Sequence, residues 1–354
     1  MIFQKRTDFL PSSSGNALGS SVRFELTREF HIDSIYIRLT LTPTAVMATA
    51  CADGIYNLLK RVTLKVSDGA RTRSVVDATG RGLVEYARQI LGGLNGGYDY
   101  NVGANGTSAL TLVIPIFFAH PQIADPIGSA FLLPAPRYNN NPELTLQFGS
   151  QADMDVNGTP TFAVAAGITA QVIVHRREVN DPNFTTYDTE LSEISYPFTS
   201  SGTNQLTELQ VPGSYTGMLL RCFTSTSALG DISTSGGEFK LQALGNVLRR
   251  FQLAHVVEEN DFSKFRPFTA SAASAGSVTY QTAGLYYQDF LTDRVGESVA
   301  ELGSVLDTNY LMATGARLQL IGDIDGAANK KINILSHRIF GVLDRLKMRP
   351  KLAA

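Results

Sequence analysis

The sequence predicts an all-β protein built as two tandem β-sandwiches, and three observations carry that prediction. The first is composition: 354 residues with 44% hydrophobic, 18% charged and 31 glycines. A chain of this length is long for one core, so two domains of roughly 150–200 residues are expected. Abundant Gly, Thr, Ser, Asn and Val favour strands and turns over helices. The second is periodicity, since short apolar runs alternate with polar residues and end at turn signals. The third is an ordered echo between the halves. Leu58-Leu-Lys-Arg-Val-Thr-Leu64 is similar to Val247-Leu-Arg-Arg-Phe-Gln-Leu253, Leu144-Thr-Leu146 to Leu318-Gln-Leu320, and Ile173-Val-His-Arg176 to Leu335-Ser-His-Arg338. Three matches in one order favour a duplicated β-domain.

In chain order, residues 11–20 read as a flexible lead-in. Val22–Leu26 and Ser34–Leu41 are strands, the second with Ile35, Ile37, Leu39 and Leu41 on one face. Residues 54–69 read as one strand closed by an Asp-Gly turn. Gly82–Leu91 is a helix, because Leu83, Tyr86, Ala87, Ile90 and Leu91 share a face and Gly92-Gly93 follows. Leu110–Phe118 is a dense β-branched and aromatic strand whose Pro115 argues for a sheet edge or a bulge. A proline-rich connection leads to the alternating strand Glu143–Phe148. Residues 163–179 supply further strands, and Asn180-Asp-Pro-Asn183 marks the boundary between domains 1–182 and 183–354. In the second half, strands are expected at 206–211, 218–223, 247–253, 277–291, 317–321 and 332–340. A helix-like stretch at 294–306 lies between the strands at 277–291 and 317–321.

Function classes are narrowed mainly by what the residues fail to cluster. The 30 basic and 32 acidic residues nearly cancel, so the chain has no overall basic field for nucleic acid. Cys51 and Cys222 do not make a disulfide scaffold and read as two buried thiols. No signal sequence is apparent and no apolar run reaches the ~20 residues of a spanning helix. The expectation is therefore a soluble product made in the cytoplasm. His31, His120, His175, His255 and His337 show no metal-ligand spacing, which disfavours a metal-binding cupin and leaves no metal, cofactor or catalytic residue to name. Asp153-Met-Asp-Val-Asn-Gly158 matches half of a calcium loop. Val164 stands where the bidentate Glu is required, so a polar hairpin turn is the better reading. The glycine-rich stretches at 80–82 and 92–97 lack the Lys-Ser/Thr of a phosphate loop.

One charge asymmetry remains. From Arg338 to Lys351 the chain carries Arg338, Arg345, Lys347, Arg349 and Lys351 against Asp344. This is either a solvated tail or a contact for an anionic surface, lipid headgroups or nucleic acid.

Leu58-Leu-Lys-Arg-Val-Thr-Leu-Lys-Val-Ser-Asp68 carries a family resemblance, together with the passage from Val113-Ile-Pro-Ile-Phe117 through Asp125-Pro-Ile-Gly-Ser-Ala to Glu143–Phe148. On these stretches, and on its tandem layout, the chain resembles the double jelly-roll major capsid proteins of tailless icosahedral, membrane-containing bacteriophages, the tectivirus and adenovirus-hexon lineage. It departs from the tectivirus type in lacking a long helical N-terminal extension. The resemblance implies two eight-stranded jelly rolls with short helices in loops, and no enzyme activity. It also implies a homotrimeric, pseudo-hexagonal capsomer in the virion capsid. Partners implied are the chain itself, penton or minor capsid proteins, and an internal membrane or packaged genome. Arg345, Lys347, Arg349 and Lys351 become candidate inner-surface contacts. The rival class is a β-sandwich adhesin or carbohydrate-binding protein, against which stand the absence of tryptophan for sugar stacking and of an export signal.

Overall fold

The computed structural model describes residues 3–69, 71–91, 107–119, 121, 128–179, 186–198, 202–209, 213–230, 232, 238–252, 269–270, 278–279, 284–290, 306–307, 317–324 and 330–340. These residues separate into two compact units, and the main division falls after Glu193.

The first unit contains β1 (Phe3–Phe9), β2 (Ser13–Asn16), β3 (Ser21–Glu25), β4 (His31–Ala45), β5 (Leu59–Ser67), β6 (Thr72–Ala78), α1 (Gly80–Leu91), β7 (Leu110–Phe117), β8 (Glu143–Phe148), α2 (Gln151–Met154) and β9 (Ala163–Val179). Its sheets are ordered β1-β9-β4-β7, with β2 added beside β9, and β6-β5-β8-β3. Alternation selects the core: Ile35, Ile37, Leu39, Ile114, Val172 and Val174 come from one sheet, and Val62, Leu64, Leu144 and Leu146 from the other. All ten are fully buried, as two inward sheet faces require. Pro115 is tolerated because β7 is an edge strand, paired only with β4.

The second unit takes over within β10 (Asp188–Phe198). It continues with β11 (Gly202–Leu209), β12 (Ser214–Phe223), β13 (Glu238–Ala243), β14 (Asn246–Gln252), the two-residue strands β15 (Thr269–Ala270) and β16 (Val278–Thr279), β17 (Leu285–Asp289), β18 (Leu306–Asp307), β19 (Leu318–Ile324) and β20 (Lys330–Phe340). The sheet orders are β10-β20-β12-β17 and β11-β19-β13-β14. Tyr215, Met218, Leu220, Phe239, Leu241, Phe290, Leu320 and Ile334 belong to its core.

Setting aside the short β2, β15, β16 and β18, each unit has eight strands in the same arrangement. Counted from one to eight along the chain, they form one sheet of order 1-8-3-6 and one of order 2-7-4-5. That is the jelly-roll wiring, and it occurs twice.

The duplication extends to an irregularity. The eighth strands carry the His-Arg echo, and in both units the third strand bulges opposite it. Arg176 and His175 face Ile32 and Ser34, leaving Asp33 as the extra residue. Arg338 and His337 face Tyr215 and Gly217, leaving Thr216. The bulged carbonyl then accepts an N–H from just past the sixth strand. Phe118 donates to Asp33 at 2.9 Å and Phe290 donates to Thr216 at 3.0 Å. A bulge conserved between repeats fixes register in both.

Several expectations need correction. Residues 13–16 are not a flexible lead-in but a strand on β9, held by Asn16 Nδ2 donating to the Ser13 and Ile168 carbonyls. Residues 54–58 form a buried 3-10 turn before β5, started by Gly54 at φ +57°. The strands β1, β6, β10 and β13 escaped notice, and each contains charged residues. In the folded chain some of those charges pair, as in Arg61–Asp77 and Arg73–Asp188. One echo is also misaligned. The Leu144/Leu318 and His175/His337 matches join equivalent seventh and eighth strands, whereas Leu58–Leu64 lies mainly on the fourth strand and Val247–Leu253 on the fifth. The expected boundary at Asn180–Asn183 and most of the helix-like stretch 294–306 lie outside the described residues; Leu306 opens β18.

Candidate functional site

Arg345, Lys347, Arg349 and Lys351 lie outside the described residues. Arg338, which the sequence placed at the head of the same basic run, is a buried residue of β20 with its guanidinium 5.3 Å from the Phe340 ring centroid. It belongs to the sheet and not to a solvated tail.

Three histidines are described, and each is accounted for by local packing. His31 is half-buried at the start of β4, and burial, reinforced by the positive charge of Arg137, lowers its pKa from 6.5 to about 4. The ring of His175 meets Tyr36 edge-on at 5.2 Å, and its Nδ1 is 3.0 Å from the Thr7 hydroxyl in a hydrogen bond. His337 is buried at the matching place in β20. Among the described residues, no group of three or more His, Cys, Asp or Glu is placed to hold a metal ion.

The half calcium loop is a structural knot rather than a hairpin turn. Asp153 closes a capping box on α2, accepting the Ser150 N–H at 2.9 Å and its hydroxyl at 2.7 Å, and also pairs with Lys60 at 2.8 Å. Asp155 is fully buried and accepts the N–H groups of Ala48, Thr49, Asn157 and Thr161 together with the Thr161 hydroxyl. Donation from the Thr161 N–H, with the other three, holds its carboxyl far below the usual range against the opposing effect of burial. Its oxygens tie the β4 end to the β8–β9 connection through backbone N–H groups and the Thr161 hydroxyl.

The feature that the linear reading did not isolate is the outer face of the β1-β9-β4-β7 sheet. One cross-strand row runs Pro115–Tyr36–Ile173–Phe9, and the next includes Val113–Arg38–Gln171. Phe9 is 67% exposed and Arg38 is exposed, while Pro115, Tyr36 and Ile173 are half-buried. Tyr36 also packs edge-on against Phe117 at 5.9 Å. Counted from the shared bulge, the same positions in the second unit are Tyr287–Leu219–Leu335 and Leu285–Arg221–Asn333. There Leu219, Leu335 and Arg221 are fully buried and Tyr287 nearly so. Equivalent faces therefore differ sharply in exposure. The signal in the sequence was the pairing of aromatics and proline at outward positions of β4 and β7, which alternation alone assigns to solvent.

No protein-family model and no curated protein sequence matches the chain. Solved structures do match, over nearly its full length. The major capsid protein of STIV aligns at TM-score 0.64 with 15% identity, covering 99% of this chain and 100% of that one. The crystal structure of PBCV-1 VP54, fitted into a cryo-EM reconstruction of the virophage Sputnik, aligns at 0.60 with 14% identity, covering 96% and 94%. The major capsid protein P2 of bacteriophage PM2 aligns at 0.55 with 13% identity, covering 96% and 99%. The strand wiring and this likeness agree: the chain has the double jelly-roll fold seen in these viral major capsid proteins.

Proposed function

We propose that the chain is the major coat protein of an icosahedral virion, made in the host cytoplasm and assembling as homotrimeric, pseudo-hexagonal capsomers. The observation that supports this best is the duplication itself, two jelly rolls of identical wiring in one chain. Three such chains present six similar domains, so a single gene product can tile a near-hexagonal lattice. On this reading the protein is a structural element and not an enzyme. Its chemistry is the burial of surface between copies, and penton or minor capsid proteins complete the shell. Residues 180–187, between the last strand of the first jelly roll and the first of the second, are the linker.

The basic tail completes the proposal. Arg345, Lys347, Arg349 and Lys351 face the capsid interior, where the anionic surface is a lipid headgroup layer or packaged genome. Each such residue contributes about 1 kcal/mol near an anionic membrane, and the effect is screened by salt. Replacing all four with Ser leaves the trimer intact and weakens its binding to anionic liposomes or nucleic acid at low salt. Unchanged binding removes the tail from the account. Light scattering of the purified chain tests the coat-protein reading itself, which requires association into trimers and is contradicted by a monomer at every concentration.

A further inference from the structure

We infer that Asn157 is a site of spontaneous self-modification, where the bend after α2 converts asparagine to isoaspartate and aspartate in the folded chain. Three features coincide there. Asn157 and Gly158 are both exposed. The Asn157 carboxamide makes no hydrogen bond among the described residues, and the residue's recorded bond is its backbone N–H to Asp155 Oδ1 at 3.2 Å. The Gly158 N–H likewise has no acceptor among the described residues, and the space where a Cβ would stand at Gly158 is empty within 4 Å.

No other described asparagine combines these features. Asn16, Asn57 and Asn139 hold Nδ2 on backbone carbonyls, and the residues that follow them are Ala17, Leu58 and Asn140. Asn333 is buried before Ile334, and Asn141 precedes Pro142, which has no N–H to react. Asn140, Asn204 and Asn246 precede Asn141, Gln205 and Val247, whose side chains crowd the nitrogen that would have to attack.

Water is the one co-reactant the step needs. The Gly158 nitrogen loses its proton to solvent base and attacks Asn157 Cγ. A bond forms between them, the Cγ–Nδ2 bond breaks, and the amide group takes up a proton and leaves as ammonia. Glycine suits this step because its backbone turns freely and no Cβ shields its nitrogen. Water then opens the succinimide. Cleavage between the ring nitrogen and Cγ gives aspartate. Cleavage between the ring nitrogen and the former Asn157 carbonyl carbon gives isoaspartate, with the main chain rerouted through the side chain. Nothing is oxidised or reduced.

The position gives the reaction a structural effect. Asp155 holds both ends of the bend, accepting the Asn157 N–H and the Thr161 N–H, and it also holds Ala48 and Thr49. Either product places a new carboxylate beside this buried one, and isoaspartate lengthens the main chain between the two anchors by a methylene. Like charges repel and the lengthened bend fits its anchors poorly, so conversion loosens the tie between the β4 end and the β8–β9 connection.

The test is incubation of the purified full chain at mildly alkaline pH, with circular dichroism confirming that it stays folded. Peptide mapping by mass spectrometry separates the Asn157-Gly158 peptide from Asn95-Gly96 and Asn105-Gly106, which lie outside the described residues. The expected result is that the peptide gains the mass difference between water and ammonia and becomes a substrate for isoaspartyl methyltransferase. Gly158→Ala, which the empty space admits, should lose most of that gain. In the converted chain, amide exchange at Thr49 and Thr161 should be faster than in the parent. A peptide that keeps its mass over the time in which the urea-unfolded chain converts overturns the site. Conversion of Gly158→Ala at the parent's rate overturns the ring-closing route, and unchanged exchange overturns the coupling to Asp155.

Discussion

His31 shows how burial at one residue becomes a property of the whole chain. Its folded pKa is lowered to about 4 from 6.5, first by burial and then by Arg137. As pH falls from 6.5 towards 4, the unfolded chain takes up a proton that the folded chain excludes. Stability contributed by the neutral ring is therefore present above pH 6.5 and lost across that window. His31→Gln should flatten the dependence of melting temperature on pH between 6.5 and 4, and an unchanged slope would remove His31 as its cause. At this scale the sequence was only partly legible. The spacing of Asp153, Asp155 and Asn157 suggested ligand oxygens, because the nearby chain supplies a plausible loop. Two of the donors that occupy Asp155 come from Ala48 and Thr49, more than a hundred residues away, and no local pattern announces them.

The helix and hairpin test the account at the scale of the element. α1 was readable because its apolar residues share a face, yet nearly every position on it is buried, including Arg81 and Glu85. Glu85 pairs with Arg81 at 2.6 Å and with Arg88 at 3.0 Å, and the Arg81 guanidinium stacks 4.9 Å from the Tyr56 ring centroid. Glu85→Ala strands a buried cation and should cost about 3–5 kcal/mol in urea unfolding. The double variant Arg81→Met with Glu85→Leu should recover most of that loss, and a double variant as unstable as the single would contradict the pairing. In the second unit, β13 and β14 are joined by Leu244-Gly245, with φ of +52° and +77° at the two positions. Such a turn suits Asn-Gly, and an exposed leucine there carries left-handed strain. Leu244→Asn should raise stability by about 1 kcal/mol in the same assay; a loss would mean that the side chain makes a contact in the assembled protein. Strand prediction succeeded where inward residues were uninterrupted, as in β4 and β9. It failed for β10, where polar Thr189, Ser192 and Glu193 are buried beside Leu191, and it passed over β6 and β13 although Phe239, Leu241 and Ala243 alternate in β13.

At the scale of the whole molecule, the tandem plan was visible as an echo of short matches, and two of the three matches fall on equivalent strands. Strand wiring was not visible, because order within a sheet depends on pairings between residues far apart in sequence, such as Thr7 with His175. Nor could alternation tell which outward residues stay exposed and which are buried. Arg38 and Arg221 read alike in sequence and differ completely in burial. The central claim is that two jelly rolls per chain and three chains per capsomer make a six-domain building block. Negative-stain electron microscopy of the purified chain tests it most directly. The account predicts class averages with a near-hexagonal, six-lobed outline and a particle mass three times the 38.3 kDa of one chain. Isolated two-lobed particles of single-chain mass at every concentration would contradict it.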